Sequence, residues 1–103
     1  MLPLIETKRA EIAALCRRFH VRRLEVFGSA ARESDFDPKR SDVDFLVEFT
    51  DHAGAGSLGN FFDLKEALEA LLGRSVDLLE YQAVRNPYLR AGIDETRLPI
   101  YAA

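Results

Sequence analysis

Two aspartates flank a valine in Asp42-Val43-Asp44, at the head of an apolar run that continues through Phe45, Leu46, Val47 and Phe49. In an extended strand, residues two apart point to the same side, so both carboxylates emerge on one face. Held side by side they repel, and burial without a partner is costly. A cation resolves the conflict. Magnesium prefers hard oxygen ligands and commonly takes one or two carboxylates plus a substrate phosphate. The alternative is a solvated strand start, with Asp42 capping the preceding loop. A third acid, Asp77, interrupts the apolar segment Val76-Asp77-Leu78-Leu79. If its strand neighbours that of Asp42 and Asp44, three carboxylates converge. Such a cluster suits two magnesium ions, with one acid able to take a proton from an attacking hydroxyl. Otherwise Asp77 lies on the exposed face of an edge strand. Finally, Gly28-Ser29 follows the strand-like Leu24-Glu25-Val26-Phe27. Glycine admits close approach of backbone to a ligand, and free N–H groups at a helix start favour phosphate. Taken alone, Gly-Ser is also an ordinary turn.

These residues need elements to carry them. Ile5, Ile12, Leu15, Cys16 and Phe19 recur at helical spacing, which predicts a helix over 4–19. Strands are expected at Leu24–Phe27, Asp42–Phe49 and Ser75–Glu80. A short helix is expected from Ala30, and a loop over 35–40 around Pro38. The small-residue run Asp51–Gly59 reads as a mobile loop. Phe61, Leu64, Leu68, Leu71 and Leu72 form the stripe of a helix over 60–72, with Gly73 placed to end it. Pro87 opens a last helix through Thr96, and Leu98–Tyr101 is a candidate strand. Helices alternating with strands give an α/β (α+β) class, with a small mixed sheet packed by helices in a single domain over 1–103.

Composition sets bounds. The chain has 103 residues, of which 48% are apolar, enough for one core. Acidic residues outnumber basic ones, 17 to 14, for a net charge of −3. This argues against a dedicated duplex-DNA binder but leaves nucleotide binding open. Lys8, Arg9, Arg17, Arg18, Arg22 and Arg23 make a basic excess near the first helix, which reads as a solvated face, the alternative being a surface for an acidic partner or a nucleic acid. Cys16 is the sole cysteine, so no internal disulfide or paired zinc motif exists, and its apolar setting suits a core filler. His20 and His52 lack ligand partners at metal spacing and read as surface residues. Tyr81, Tyr88 and Tyr101 read as packing residues. Neither a leader-like start nor a spanning apolar run is seen, so the expected location is the cytoplasm.

The stretch Gly28-Ser29-Ala30-Ala31-Arg32, followed after a polar spacer by Ser41-Asp42-Val43-Asp44-Phe45-Leu46-Val47, resembles the nucleotidyltransferase superfamily related to DNA polymerase β. The segments Gly73-Arg74-Ser75-Val76-Asp77-Leu78 and Asn86-Pro87-Tyr88-Leu89-Arg90 look like its minimal members, prokaryotic proteins often encoded beside a helical HEPN toxin as its antitoxin. The resemblance implies a nucleotidyltransferase-like fold. It implies that Gly28, Ser29 and Arg32 bind the nucleotide, and that Asp42, Asp44 and Asp77 are catalytic and hold magnesium, two ions in all. The implied reaction moves AMP from ATP to a hydroxyl, that of a tyrosine on a HEPN-type partner, which silences the toxin. The expected partners are thus ATP and that protein, with no membrane and no direct nucleic-acid contact. Larger relatives use a helical domain to bind the acceptor, a role that a chain of this length leaves to a partner. The sequence departs from the family pattern at Ala30, at Glu33 and in a slightly long spacer before Asp42. Two rival readings are an antitoxin that masks its partner by binding alone, and a transferase acting on a small molecule such as an aminoglycoside.

Overall fold

The computed structural model describes residues 2–32, 42–50 and 57–103. The expected loop at 35–40, Glu33, His52 and the glycines at 54 and 56 lie outside the described residues. In chain order the elements are α1 (Pro3–Thr7), α2 (Arg9–Arg18), β1 (Val21–Phe27), α3 (Ser29–Arg32), β2 (Val43–Phe49), α4 (Ser57–Leu72), β3 (Val76–Glu80), a 3₁₀ turn (Tyr81–Ala83), α5 (Pro87–Thr96) and β4 (Leu98–Ala102). The strands form one sheet in the order β3-β2-β1-β4. β1 is antiparallel to both β2 and β4, whereas β2 and β3 run parallel. A parallel pair needs a long crossover, and α4 supplies it. The sheet is therefore mixed and packed by helices, in line with the expected fold class.

Period-two alternation divides the sheet into two faces. Val43, Phe45 and Val47 of β2 are buried, and with Leu24, Val26, Val76 and Leu78 they meet Ile12 and Cys16 of α2 and Leu64 and Leu68 of α4 in the main core. Burial pushes the Cys16 thiol up to about 12, the behaviour of an inert core filler. Phe27 and Leu46, on the opposite face, pack with Val84 and with Ile93 of α5 in a second, smaller cluster. Asp44 and Asp77 alternate with the main-core residues, so they belong to this second face.

The segment expected as one helix over 4–19 is broken at Lys8 into α1 and α2. The Thr7 hydroxyl donates to the Pro3 carbonyl at 2.8 Å, a back-bond that bends helices, and the Lys8 N–H closes a tighter turn on Ile5 at 3.1 Å. β1 begins at Val21, three residues before the expected start. A bulge between Val21 and Arg23 places two exposed arginines in succession, which hides the alternation. α4 likewise starts at Ser57 rather than near residue 60. Its end is as expected: Gly73 takes φ +69° and donates to the Glu69 carbonyl at 2.8 Å. At the start of α5, the Asn86 side chain accepts from the Tyr88 and Leu89 N–H groups at 2.9 and 3.2 Å, with Pro87 in the first turn.

One charged pair joins α5 to the sheet. Glu25, only 8% exposed on β1, accepts from the Arg97 Nε at 2.9 Å and from a terminal guanidinium nitrogen as well. Arg97 also reaches Asp94 at 3.0 Å and lies over the Tyr81 ring, with Arg90 on the same ring 4.4 Å from its centroid. Removing one member leaves a buried charge unmatched. Arg97→Met is therefore expected to lower stability by about 3 kcal/mol, while Glu25→Leu combined with Arg97→Leu recovers most of the loss. Urea denaturation of the two proteins measures both values.

Candidate functional site

The parallel pairing of β2 with β3 sets Asp44 directly opposite Asp77. On its other side, Asp44 pairs with Phe27, the last residue of β1, which delivers the chain into Gly28. Three strand segments thus converge on one carboxylate. Asp44 is half-buried, while Asp42, just ahead of β2, and Asp77 are exposed. Burial, then the charge of Asp77 and a hydrogen bond with it, raise the Asp44 carboxyl from an ordinary 3.8 to about 6. Asp42 adds to the effect and Arg32 opposes it, so both lie within electrostatic reach of Asp44. The hydrogen bond between the two carboxyls favours the protonated form of Asp44.

The turn after β1 is built against this acid. Gly28 adopts φ +70°, a conformation that favours glycine. A Cβ added there would stand 2.7 Å from Asp44 Oδ2, inside contact distance. The Gly28 carbonyl accepts from the Ala31 and Arg32 N–H groups at 3.1 and 3.0 Å, which closes α3. Its own N–H donates to Thr96 Oγ1 at 3.0 Å. That N–H is consequently committed within the fold. Ser29 and Ala30, in the first turn of α3, make no hydrogen bond through their N–H groups among the described residues.

Of the six residues singled out from the sequence, Gly28, Arg32, Asp42 and Asp77 therefore lie around Asp44, with Ser29 next to Gly28 in the chain. Sequence reasoning missed Thr96, whose contact with Gly28 spans 68 positions and has no local signature. It also misread Tyr88. That ring is 87% exposed in the first turn of α5, not packed, because Ile93 supplies the buried face of that helix. Tyr81 does pack, between the guanidinium groups of Arg90 and Arg97, with its hydroxyl donating to Asp94 at 3.0 Å. His20 is exposed as expected, at the left-handed residue (φ 61°) that ends α2.

Among the described residues no three His, Cys, Asp or Glu side chains form a ready cage for a metal ion. The donor chemistry nevertheless suits magnesium. The candidate donors are hard carboxylate oxygens, two of them on residues in register, and a cation between them would offset the repulsion that raises the Asp44 carboxyl. Magnesium keeps several waters and takes only one or two protein carboxylates, with substrate phosphates completing the shell. A cavity of about 390 Å³ lined by Phe61, Phe62, Leu79 and Val84, among others, contains none of the three acids. No helix among the described residues is long and apolar enough to cross a membrane.

The sequence model of the family described as "Nucleotidyltransferase domain" matches residues 10–99. The chain is 46% identical over 85 residues to the protein adenylyltransferase MntA of Thermococcus cleftensis, covering 82% of this chain and 75% of that protein. It superposes on a solved structure assigned as a minimal nucleotidyltransferase with a TM-score of 0.74 and 33% identity, covering 95% and 96% of the two chains. A solved complex of a tri-AMPylated Shewanella oneidensis HEPN toxin with an MNT antitoxin contains a chain that matches at a TM-score of 0.64. It shares 17% identity and covers 95% of this chain and 72% of that one, a likeness of fold alone.

Two outcomes test the site geometry. Gly28→Ala must give up φ +70° or push Asp44 aside, and is expected to cost about 1–3 kcal/mol by chemical denaturation. The proton on Asp44 also gives a pH signature. Its folded pKa lies above the ordinary value, so the folded state binds the extra proton between the two. The stability that Asp44 contributes to the metal-free protein is therefore lost as pH rises from 3.8 through about 6. Asp44→Asn should flatten that fall and melt at a higher temperature than the parent at pH 7.5, as thermal scans across pH would record.

Proposed function

Because the chain belongs to the nucleotidyltransferase domain family, we propose that it moves AMP from ATP to a hydroxyl of a partner protein, releasing pyrophosphate. The observation that carries this reading is the alignment of Asp44 with Asp77 across β2 and β3, with the Gly28 turn held against Asp44. Asp42, Asp44 and Asp77 would hold magnesium, two ions in all. Bound there, magnesium supplies charge screening for the triphosphate and stabilisation of the leaving pyrophosphate. The Ser29 hydroxyl and the first N–H groups of α3 receive phosphate oxygens, and Arg32 adds positive charge beside them. Asp77, exposed at the edge of the sheet, takes the proton of the acceptor hydroxyl. The hydroxyl oxygen then bonds to the α-phosphorus as the bridge to the β-phosphate breaks. Gly28 and Asp44 keep the turn and the acids in one geometry, so that catalysis is chiefly positioning.

The acceptor is assigned by likeness. The Thermococcus cleftensis relative is named a protein adenylyltransferase, and a fold neighbour sits in a complex with a tri-AMPylated HEPN toxin. On this reading the acceptor is a tyrosine hydroxyl of a HEPN-type toxin, and AMP transfer makes this chain the antitoxin. A cytoplasmic setting follows from that role. Masking of the toxin by binding alone is a second reading, favoured by the outward-facing apolar side chains of Tyr88, Phe62 and Leu89.

The test is intact mass of a HEPN-type partner after incubation with this protein, ATP and magnesium. Mass added in whole units of AMP is expected. It should fall by roughly a hundredfold or more in rate with Asp42→Ala/Asp44→Ala protein, given the several kcal/mol that bound metal contributes. Full neutralisation of the toxin by that double variant, with no added mass from the parent protein, would replace transfer with masking.

A further inference from the structure

Thr96 closes α5, yet its side chain belongs to the turn that follows β1. Its hydroxyl donates to the Gly92 carbonyl at 2.9 Å within the helix. With its only proton committed there, the oxygen presents a lone pair, and the Gly28 N–H donates to it at 3.0 Å. The neighbouring Arg97 grips Glu25 on the same strand, three residues before Gly28. The end of α5 is thereby fastened to β1 at two adjacent points.

We propose that Thr96 is a positioning residue for nucleotide binding, setting the Gly28-Ser29 turn at the height where it receives phosphate. The inference rests on the nucleotidyl-transfer reading above. Gly28 has both polar backbone groups engaged, its N–H by Thr96 and its carbonyl by Ala31 and Arg32. The peptide planes on either side of it are therefore held, and with them the direction of the Ser29 N–H. The same glycine lies against Asp44, where a single added carbon would collide with Oδ2. A turn in such close contact has little tolerance for drift. If the Thr96 hydroxyl is lost, a part-buried N–H is left without an acceptor, and the turn must rotate to find water or another oxygen. Thr96 touches no substrate itself. Its effect reaches the nucleotide through Gly28, and it acts alike on ground and transition states, so it is felt in affinity rather than in turnover.

The experiment compares Mg-ATP affinity by calorimetry for the parent, Thr96→Val and Thr96→Ser proteins, with Gly28 amide exchange followed by NMR. Valine keeps the shape and removes the acceptor, whereas serine restores the oxygen. The expected result is a roughly tenfold weaker Kd for Thr96→Val with faster Gly28 exchange, and a near-parent Kd for Thr96→Ser. If the valine protein does not fold, Thr96→Ala takes its place in the same comparison. A parent protein that binds while the valine or alanine variant binds equally well overturns the positioning role alone, whatever happens to the melting temperature. A serine protein as weak as the valine one overturns it too, since the oxygen would then not be the active feature. A parent protein that binds no Mg-ATP removes the nucleotidyl-transfer reading and this proposal together.

Discussion

Two carboxylates face each other across a parallel strand pair, and much of the molecule is arranged around that confrontation. Asp44 and Asp77 repel when both are ionised, and Asp44 is half-buried, where water screens the repulsion less than at the open surface. The fold accepts the conflict because Val43 and Phe45 on one strand, and Val76 and Leu78 on the other, anchor the same strands from the opposite face. Packing of those residues beneath α2 and α4 leaves the acids little freedom to separate. Protonation of Asp44 relieves the repulsion below about pH 6, and a divalent cation would relieve it without a proton. The stability surrendered at this point is what a bound cation would return, which is the physical argument for the proposed metal site.

Around the acids, the two faces of the sheet have different work. The main-core face is closed over by helices and is apolar throughout. The second face is only partly covered, by α5 and the 3₁₀ turn, and it is there that charged and aromatic side chains gather: Glu25 with Arg97, Asp94 with Tyr81, and Arg90 on the Tyr81 ring. The acids lie at the open end of this face. An exposed Asp77 beside a half-buried Asp44 suits a site completed from outside, by a triphosphate on one side and an acceptor on the other.

The strands were legible because alternation is a strong signal: Val43, Phe45 and Val47 against Asp44 and Glu48 is unambiguous. The same signal placed Asp42 and Asp44 on one side. That Asp77 would stand in register with Asp44 could not be read from spacing, since register across a crossover depends on the length and packing of α4. β1 was clipped because a bulge breaks its alternation, and α1 was merged with α2 because a back-bonding Thr7 leaves the apolar stripe intact while breaking the backbone ladder. Gly28 was recognised by type, but its reason is tertiary: the missing Cβ makes room for Asp44. Thr96 was invisible for the same cause. Its partner is a backbone N–H, and backbone groups carry no residue-type signature.

The crossover from β2 to β3 has a consequence for how the protein comes into being. The site draws on Gly28, on Asp44, on Asp77 and, through its brace, on Thr96, so it spans almost seventy positions of chain. The β1–β2 hairpin-like pair can form early, but the parallel pair waits for α4, and the brace waits for α5, since distant contacts must overcome loop-closure entropy before they stabilise anything. On the ribosome, a nascent chain lacking α5 would carry the acids without the strut that holds the turn. The complete arrangement of turn, acids and brace therefore depends on contacts that only the late elements of the chain can supply.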